Sequence, residues 1–577
     1  MSPRVPVTLV RWAPVAAAAL AFVAFVPVLS AEWVNWDDEV SFLRNSRYRG
    51  LGVAQLRWMF TTTLLGHWSP LTWVTWGADY LVSGMNPSSY HFTSVLIHAV
   101  NVALLVLVAR RLLAKAFAME RDEPAVVAGA LFAALAFGIH PLRVEPVAWI
   151  SGRRDVLCAT FYLAAALAYL RGVASGGAIA PKWWALSVGA FAAALTSKAS
   201  AMTLPLTLLL IDIYPLRRQS LGWGRLIVEK APYAVLALGA AAMAIVARED
   251  GGNITMYARY GPDARVALTA YALVFYPWKS LWPTGLSTGY ELPARISLAE
   301  PRFIVAVALV VLVTGALIVV RRRLPGLLTA WVAAAIVLLP VSGLVLSGEQ
   351  IAADRYSYLS SFGYVILAGA ALTWMIRRGA APVLAGVGAV GIIGVLGVAT
   401  WIQTTTWHDA ESLWRRAVDV DPTCSLCESN LGRVIARPGR FDEAEAHVAR
   451  AIALRPDRPG PHENMAVIML GQGRLQQATT YFRRVVAIRP LHAPSRNNLG
   501  LALAESGRFD EAEAEFREAA RLSPTLVDAH SNLGVLYMRQ GRLDDAIELL
   551  QRALALDPSR TLVARNLEQA RAARDRK

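Results

Sequence analysis

Three adjacent acids, Asp37, Asp38 and Glu39, directly follow the first apolar stretch of the sequence. That stretch, Trp12 to Ala31, carries no charged residue and is long enough to cross a bilayer, because a spanning helix needs about 20 residues. Carboxylates at the edge of a membrane are costly unless they face water, a cation or a substrate. The triplet therefore predicts a general base or a cation ligand at this boundary. A solvated acidic loop is the alternative that the acids alone leave open.

Titratable and polar residues recur at the ends of the later apolar stretches. Arginine and lysine there suit phosphate recognition, and carboxylates suit acid–base work. The candidates are His67, His140, Arg143, Glu145, Arg153, Asp155, Lys198, Arg355 and Tyr356. Each has a structural alternative, such as a satisfied histidine at a helix end, a snorkelling lysine or a local ion pair. Acids and cations on one side of a membrane together predict a site where a phosphorylated lipid meets a nucleophile.

The composition is that of a membrane protein. Hydrophobic residues make up 55% of the 577 residues, and the mean hydropathy is +0.41. Apolar segments of spanning length predict an all-α, polytopic membrane domain of about 11 spans over residues 1–401. The segments lie near 12–31, 90–109, 124–140, 156–170, 183–197, 199–215, 231–247, 302–320, 326–347, 358–376 and 381–401. A further stretch, 265–282, is interrupted by Pro277 and Lys279.

Basic residues cluster between these segments, as the positive-inside rule expects of cytoplasmic loops. The net charge of +15 is therefore interpreted as membrane topology rather than as a patch that binds nucleic acid. The clusters are Arg4/Arg11, Arg110/Arg111/Lys115, Arg217/Arg218/Arg225, Arg321/Arg322/Arg323 and Arg377/Arg378. If all of these clusters are cytoplasmic, the stretch 265–282 crosses the membrane either zero or two times. We expect it to form a re-entrant or interfacial helix. The candidate site residues and the C-terminus then lie outside, and the N-terminal stretch is predicted to be a retained signal anchor.

The C-terminal part repeats with a period of 34 residues. Asn430-Leu431-Gly432 recurs three times downstream, as does the segment that begins with Gly439. The pattern resembles the tetratricopeptide repeat, in which glycine permits a tight turn between two helices and proline ends the second helix. It predicts an α-solenoid with a connecting helix or half-repeat at 402–422, four repeats at 423–558 and a capping helix or tail at 559–577. Such solenoids bind peptides or proteins along a concave face.

Two of the three cysteines, Cys424 and Cys427, form a lone Cys-x-x-Cys motif. Without a second pair the motif argues against a zinc site. It leaves open a local disulfide, if the region is extracytoplasmic, or two small core residues. Cys158 lies within an apolar segment and is expected to serve packing.

The order of the motifs in the first part resembles a known family. The shared motifs are Asp37-Asp38, His67-Trp68-Ser69-Pro70-Leu71-Thr72, His91 to Asn101, His140-Pro141 with Glu145, Gly152-Arg153-Arg154-Asp155, Ser197-Lys198 and Asp354-Arg355-Tyr356. Together with the repeats, they look like the transmembrane and tetratricopeptide-repeat (TMTC-like) O-mannosyltransferases of the GT-C glycosyltransferase superfamily. The sequence departs from that family twice: the arginine of the 67–72 motif is absent, and Arg143 stands where histidine is common.

The resemblance implies an inverting glycosyltransferase of GT-C type. It would pass a mannose-like sugar from a polyprenyl-phosphate-linked donor to a hydroxyl, on a protein, at the extracytoplasmic face. Asp37, Asp38 and Glu39 are the expected catalytic residues, with Asp38 favoured as the base and Asp37 next. The other candidates are expected to bind substrate or the donor phosphate. No cofactor is required, although a divalent cation held by Asp37 and Asp38 stays open.

The implied partners are the lipid bilayer, the lipid-linked sugar, and a protein or peptide acceptor bound by the repeats, with no nucleic acid. A composition rich in Ala, Arg and Gly favours a bacterial inner membrane with the repeats in the periplasm. One alternative is a non-enzymatic, membrane-anchored scaffold for envelope or secretion partners, which would not need the outer acids and cations. A transporter of lipid-linked sugars would place charges in mid-helix and broken helices in two matching halves, and the sequence shows neither.

Overall fold

The structure, a computed structural model, describes residues 6–173, 177–250, 260–344, 350–379, 381–558 and 560–576. The chain divides into two compact units, Met1–Leu413 and Trp414–Lys577. Both are helical, which confirms the predicted fold class; in the described ranges, the extended pairing is limited to an isolated bridge between Glu291 and Gln350.

The helices of the first unit follow the predicted apolar segments closely. They are α1 (Val7–Ala24), α2 (Val53–Thr61), α3 (Pro70–Ser83), α4 (Pro87–Phe117), α5 (Pro124–Gly138), α6 (Val144–Ala148), α7 (Arg153–Gly172), α8 (Pro181–Ser197), α9 (Leu204–Ile213), α10 (Trp223–Asp250), α11 (Pro262–Leu281), α12 (Pro301–Val320), α13 (Pro325–Leu338), α14 (Ser357–Ser360), α15 (Phe362–Arg377) and α16 (Pro382–Thr405). Many begin with proline, whose missing N–H costs nothing in the first turn of a helix.

Helices α4 and α7 lie at the centre of this unit. Their most apolar windows are 56% and 78% buried, whereas those of α12 and α16 are only 11% buried. The exposed side chains of α12 and α16 are large and apolar, as in Leu312 and Val390, which suits helices that face lipid. The centre is therefore where polar side chains can be positioned away from lipid.

Five helices in the described ranges are long and apolar enough to cross a membrane, and two bent pairs raise the number to seven. Three shorter apolar helices, Thr8–Ala24, Ala199–Ile213 and Pro325–Val341, accompany them. The chain is a membrane protein, but the count of about 11 spans is not confirmed. Residues 265–281 of the stretch 265–282 lie in one continuous helix, α11, and whether the stretch crosses the bilayer stays a prediction.

The second unit is a series of antiparallel helix pairs, as the 34-residue period predicts. After α17 (Ala410–Val420), which straddles the unit boundary, come α18 (Ser425–Ile435), α19 (Phe441–Leu454), α20 (Pro459–Gly471), α21 (Leu475–Ile488), α22 (Ala493–Glu505), α23 (Phe509–Leu522), α24 (Val527–Arg539), α25 (Leu543–Leu556) and α26 (Thr561–Arg574). Gly439, Gly473, Gly507 and Gly541 adopt positive φ at equivalent turns, a conformation that glycine reaches without strain.

The two cysteines of the Cys-x-x-Cys motif form a disulfide, Cys424–Cys427, at the start of α18. Both side chains are buried. Of the two alternatives left by the sequence, the structure contains the local disulfide. Cys158 is buried in the first unit, in keeping with the packing role expected of it.

Candidate active site

Asp38 ties the loop after α1 to the start of α7. Its carboxylate is 1% exposed; Oδ2 accepts a hydrogen bond from the Val34 N–H at 3.1 Å, and Oδ1 accepts one from the Ser151 hydroxyl at 3.0 Å. Burial raises the pKa of Asp38 to about 7, although both hydrogen bonds act in the opposite direction. Both oxygens are therefore engaged by the protein itself.

Asp37, in contrast, keeps access to solvent. Its side chain is 25% exposed, and Oδ2 lies 3.7 Å from Nη2 of Arg154. Burial raises the pKa of Asp37, while the charges of Arg154 and Arg355 lower it. Asp37 is thus an accessible carboxylate beside two cations.

Arg355 is held in one orientation by the residues around it. Its Nη1 forms an ion pair with Oε1 of Glu145, its backbone N–H donates to Oε2 of the same carboxylate at 3.3 Å, and Nη2 donates to Oε1 of Gln350 at 2.9 Å. The guanidinium lies 5.2 Å from the ring centroid of Trp149 and 5.0 Å from that of Tyr356. The carboxylate and the two rings preorganise this cation.

Lys198, between α8 and α9, lies beside the same group. Its Nζ donates to Oδ1 of Asp155 at 2.6 Å and lies 5.7 Å from the ring centroid of Tyr356. The lysine side chain is 19% exposed, so this end of the ion pair faces an accessible space. Tyr356 therefore connects the Lys198 pair to the Arg355 pair.

We refer to these residues as the acid–cation cluster. They come from the loop after α1, from α6, from the first turn of α7, from the α8–α9 connection and from the turn before α14. Its members are Asp37, Asp38, Glu145, Arg154, Asp155, Lys198, Arg355 and Tyr356. Helix ends from distant parts of the sequence thus bring together most of the predicted polar residues.

His67 lines the same region from the α2–α3 connection. Its imidazole is accessible to solvent. Close protein surroundings and the charges of Arg154, Lys198 and Arg355 hold the pKa of His67 well below its usual value. These charges place His67 near the cluster, and the binding role predicted for it stays a prediction.

Glu39 and Arg153 form ion pairs with residues that are not members of the cluster. Glu39 forms an ion pair with Arg44, which is largely exposed. Arg153 is fully buried, where Nη1 lies 2.5 Å from Oδ2 of Asp79 and Nε donates to the Ser94 hydroxyl at 3.1 Å. The catalytic role predicted for Glu39 and the phosphate contact predicted for Arg153 stay predictions.

His140 and Arg143 have contacts of their own, and the binding roles predicted for them stay predictions. Nδ1 of His140 accepts from the Leu142 N–H at 3.2 Å, and Nε2 lies 3.1 Å from the Ser280 carbonyl oxygen. The Arg143 guanidinium lies over the ring of Phe137, with 4.9 Å between its Cζ and the ring centroid. Both side chains are buried among helix ends, outside the cluster.

Arg154 and Ser151 are the members of the site region that sequence reasoning did not single out. Arg154 lies in the same Arg153-Arg154-Asp155 run, but successive residues on a helix differ by about 100° in direction. Arg153 shares the buried side of α7 with Leu157, whereas Arg154 does not. The positions of Arg153 and Arg154 around the axis of α7 are therefore the signal that could have shown which of the two arginines is buried.

The described residues contain no group of three or more His, Cys, Asp and Glu side chains placed to hold a metal ion. Asp37 faces Arg154, and both oxygens of Asp38 accept hydrogen bonds. This donor set therefore fits a cation poorly. The divalent cation that the sequence left open stays untested.

Comparison with known proteins adds a family context to this geometry. Two models described as tetratricopeptide repeat match the second part of the chain, one over residues 503–570 and the other over residues 405–459 and 465–526. These matches cover the helix pairs of the second unit. The protein is thus a helical membrane protein that carries a tetratricopeptide-repeat solenoid.

Curated relatives match beyond the repeats. The Drosophila melanogaster protein O-mannosyl-transferase Tmtc1 is 26% identical over 76% of this chain and 61% of its own length. The human protein O-mannosyl-transferase TMTC1 is 24% identical over 77% of this chain and 56% of its own length. The Drosophila melanogaster protein O-mannosyl-transferase Tmtc2 is 35% identical over 34% of this chain and 21% of its own length.

These matches confirm the resemblance found in the motifs: the chain is similar to the TMTC protein O-mannosyl-transferases, and the similarity extends across both units. The chain spans 61% or less of the length of the three relatives described above.

Proposed function

We propose that this protein is a membrane glycosyltransferase. It transfers a mannose-like sugar from a polyprenyl-phosphate-linked donor to a hydroxyl group of a protein. The observation that carries the proposal is the acid–cation cluster, in which the accessible carboxylate of Asp37 lies beside Arg154 and the ring of Tyr356 lies beside both Arg355 and Lys198. The relatives support the reaction class, since each is named a protein O-mannosyl-transferase.

Asp37 is the base in this proposal. Its carboxylate accepts the proton of the acceptor hydroxyl while the hydroxyl oxygen attacks the anomeric carbon of the sugar. The attack comes from the face opposite the lipid phosphate, so the new carbon–oxygen bond forms as the bond to the phosphate oxygen breaks. The lipid phosphate leaves with the bonding electrons, and the configuration at the anomeric carbon inverts.

Arg355 and Lys198 hold the donor phosphate and stabilise the charge that develops on it. Glu145 fixes the direction of Arg355, and Asp155 fixes that of Lys198, so both cations are in place before the donor arrives. Charge-assisted hydrogen bonds from such preorganised cations are strong, and they strengthen further as the leaving oxygen gains charge.

Asp38 acts as a positioning residue rather than as the base. The sequence favours Asp38 for the base, but its two oxygens already hold the Val34 N–H and the Ser151 hydroxyl. By fixing the loop after α1 against α7, Asp38 sets the direction in which Asp37 points. Solvent exposure of the carboxylate is the property that distinguishes Asp37 from Asp38.

The repeats bind the protein acceptor and lie in an oxidising, extracytoplasmic compartment. The buried Cys424–Cys427 disulfide supports this placement, because disulfides persist outside the reducing cytosol. For a bacterium, that compartment is the periplasm and the membrane is the inner membrane. Solenoids of this class commonly bind peptides, which suits an acceptor that must be recruited.

Mass spectrometry of envelope proteins tests the proposal in cells. Cells with the wild-type chain are expected to carry hexose on serine or threonine of at least one envelope protein, and cells with no chain or with Asp37→Asn are expected to lack it. Glu300→Gln serves as the matched control, because Glu300 is a surface residue paired with Arg302. If the protein is a non-enzymatic scaffold, cells with Asp37→Asn would show the same hexose modification as cells with the wild-type chain. This result would refute the enzymatic proposal.

A further inference from the structure

The first helices of three successive repeats, α20, α22 and α24, carry the same pair of residues on their surface. Each helix has a partly exposed asparagine and, three residues later, an aliphatic residue that is at least partly exposed. Residues three apart lie on one face of a helix, so the two members of each pair are neighbours. We call these residues the double row. Its members are Asn464, Asn498 and Asn532, with Val467, Leu501 and Val535.

The asparagines of the double row join each first helix to the one before it. Nδ2 of Asn464 donates to the Ser429 hydroxyl on α18 at 2.8 Å, and Nδ2 of Asn532 donates to Oδ1 of Asn497 on α22 at 3.0 Å. Among the residues that the structure describes, none donates a hydrogen bond to Oδ1 of Asn464 or of Asn532. Each of these amides is thus held in one orientation and keeps an acceptor oxygen for a ligand.

The aliphatic members of the double row form a strip along the repeats. Val467 is 46% exposed and Leu501 is 38% exposed. Exposed apolar residues that lie together mark interaction sites more often than isolated ones do. In α18 the equivalent position holds Arg433, so the strip begins at α20. An acceptor oxygen beside an aliphatic patch suits a polypeptide, which offers a main-chain N–H next to a side chain.

The spacing of the double row selects a conformation of that polypeptide. Packed helices lie about 8–10 Å apart, and the hydrogen bonds of Asn464 and Asn532 show that successive first helices are neighbours. A polyproline II chain has three residues per turn and rises about 3.1 Å per residue, so a side chain points the same way again after about 9 Å. In a β-strand, residues three apart point to opposite faces. The period of polyproline II therefore matches that of the repeats.

We infer that the double row binds a polypeptide segment in the polyproline II conformation with an apolar side chain at every third position. The segment belongs to the protein acceptor, so this inference rests on the proposed function. The main chain of polyproline II makes no internal hydrogen bonds, which leaves its N–H groups available to the asparagine oxygens. The apolar side chains cover the aliphatic strip. The other two positions of each triplet stay uncovered and can carry the serine or threonine that receives the sugar.

Peptides that differ in the order of their residues test this inference on the wild-type protein. The full chain in lipid nanodiscs is titrated against fluorescently labelled peptides without any lipid-linked sugar, and the anisotropy gives Kd. A peptide of four Pro-Thr-Val triplets is expected to bind about tenfold more tightly than a shuffled peptide of the same composition, because a misplaced aliphatic side chain is not buried. A peptide with valine at every second position is expected to bind as weakly as the shuffled one.

Substitutions then locate the binding site. Leu501→Asp is expected to abolish the preference for the triplet peptide over the shuffled one. Leu491→Asp is the matched control and is expected to keep the preference, because Leu491 is a 76% exposed residue in the α21–α22 connection, outside the double row. Asn464→Ala removes an amide but no aliphatic group and is expected to weaken binding of the triplet peptide about fivefold, which corresponds to one hydrogen bond.

Several results would overturn the inference. The first is that the wild type binds the triplet and shuffled peptides equally or binds neither. The second is tighter binding of the peptide with valine at every second position, which would indicate an extended strand. The third is an equal loss for Leu491→Asp and Leu501→Asp, which would mean that the double row is not the site. Transfer is measured separately, so sugar transfer without a triplet preference would count against this inference alone, and a triplet preference without sugar transfer would count against the proposed function alone.

Discussion

At the scale of single residues, accessibility divides a set of carboxylates that the sequence presents as equals. Asp37, Asp38 and Glu39 are adjacent, yet Asp37 is partly exposed beside Arg154, Asp38 is buried in a loop contact, and Glu39 pairs with a surface arginine. Asp37 combines solvent access with contact to Arg154, a cation of the acid–cation cluster. This arrangement assigns Asp37 to proton transfer and Asp38 to its support.

The dependence of kcat/KM on pH distinguishes these two roles. Because burial raises the pKa of Asp37, we expect the wild-type rate to fall as the pH drops through that raised pKa and the base becomes protonated. Asp37→Asn is expected to cost about 10²- to 10⁴-fold in rate and to abolish this acidic limb. Asp38→Asn is expected to lower the rate less and to keep the limb, since asparagine can still accept the Ser151 hydrogen bond. An acidic limb that disappears only in Asp38→Asn would reverse the assignment.

At the scale of elements, the site depends on close packing of helices around α4 and α7. Helices α5 and α15 approach so closely that a Cβ at Gly369 would meet the Gly129 carbonyl oxygen at 2.3 Å. The Thr373 hydroxyl on α15 donates to the Ala125 carbonyl oxygen on α5 at 3.1 Å. Small residues at a helix crossing allow such approaches in membrane proteins. This crossing fixes the position of α15, which follows Arg355 and Tyr356 in the sequence.

Gly369→Ala tests the importance of this crossing. The added methyl group must displace the backbone of α5, which overpacking data suggest costs about 1–3 kcal/mol. The thermal unfolding midpoint of the purified protein is therefore expected to fall. Gly388→Ala on α16 is the control, because a Cβ there would meet no atom within 4 Å. Equal midpoints for the two variants would contradict the packing argument.

The sequence predicts the elements better than it predicts the site. Long apolar segments and a 34-residue period specify helices without reference to the rest of the fold. The predicted helical membrane unit and the predicted repeat solenoid are therefore both confirmed. The site depends on helical phase and on which helix ends meet, and neither is local. Arg153 and Arg154 illustrate this. They are consecutive residues of α7 and point in different directions, so that Arg153 is a buried partner of Asp79 whereas Arg154 lies beside Asp37. His140 gives a second example, since the Ser280 carbonyl oxygen beside its Nε2 comes from a distant segment.

At the scale of the whole molecule, the proposal requires the membrane unit and the repeats to serve one reaction. The acid–cation cluster and the Cys424–Cys427 disulfide must then lie on the same, extracytoplasmic side of the membrane. Charge clusters such as Arg110/Arg111 and Arg321/Arg322/Arg323 predict this topology through the positive-inside rule. The disulfide supports it independently, from the chemistry of the compartment.

A reporter fused after Lys577 checks the topology in cells. Alkaline phosphatase, which is active only outside the cytoplasm, is expected to be active in this fusion. Thiol labelling of the denatured protein gives a second readout, since Cys424 and Cys427, once unfolded, are expected to react with maleimide only after reduction. A cytoplasmic reporter with freely reactive cysteines would place the repeats on the wrong side for the proposed reaction.

Transfer by the purified full-length protein is the most direct measure of the central claim. The protein in lipid nanodiscs is supplied with radiolabelled polyprenyl-phosphate mannose and an extract of envelope proteins, and label that becomes attached to protein is counted. We predict that the wild type labels protein, that Asp37→Asn reduces the rate by about 10²-fold or more, and that Glu300→Gln matches the wild type. Labelling by Asp37→Asn at the wild-type rate would contradict the assigned mechanism, and no labelling by any form would contradict the enzymatic account with this donor.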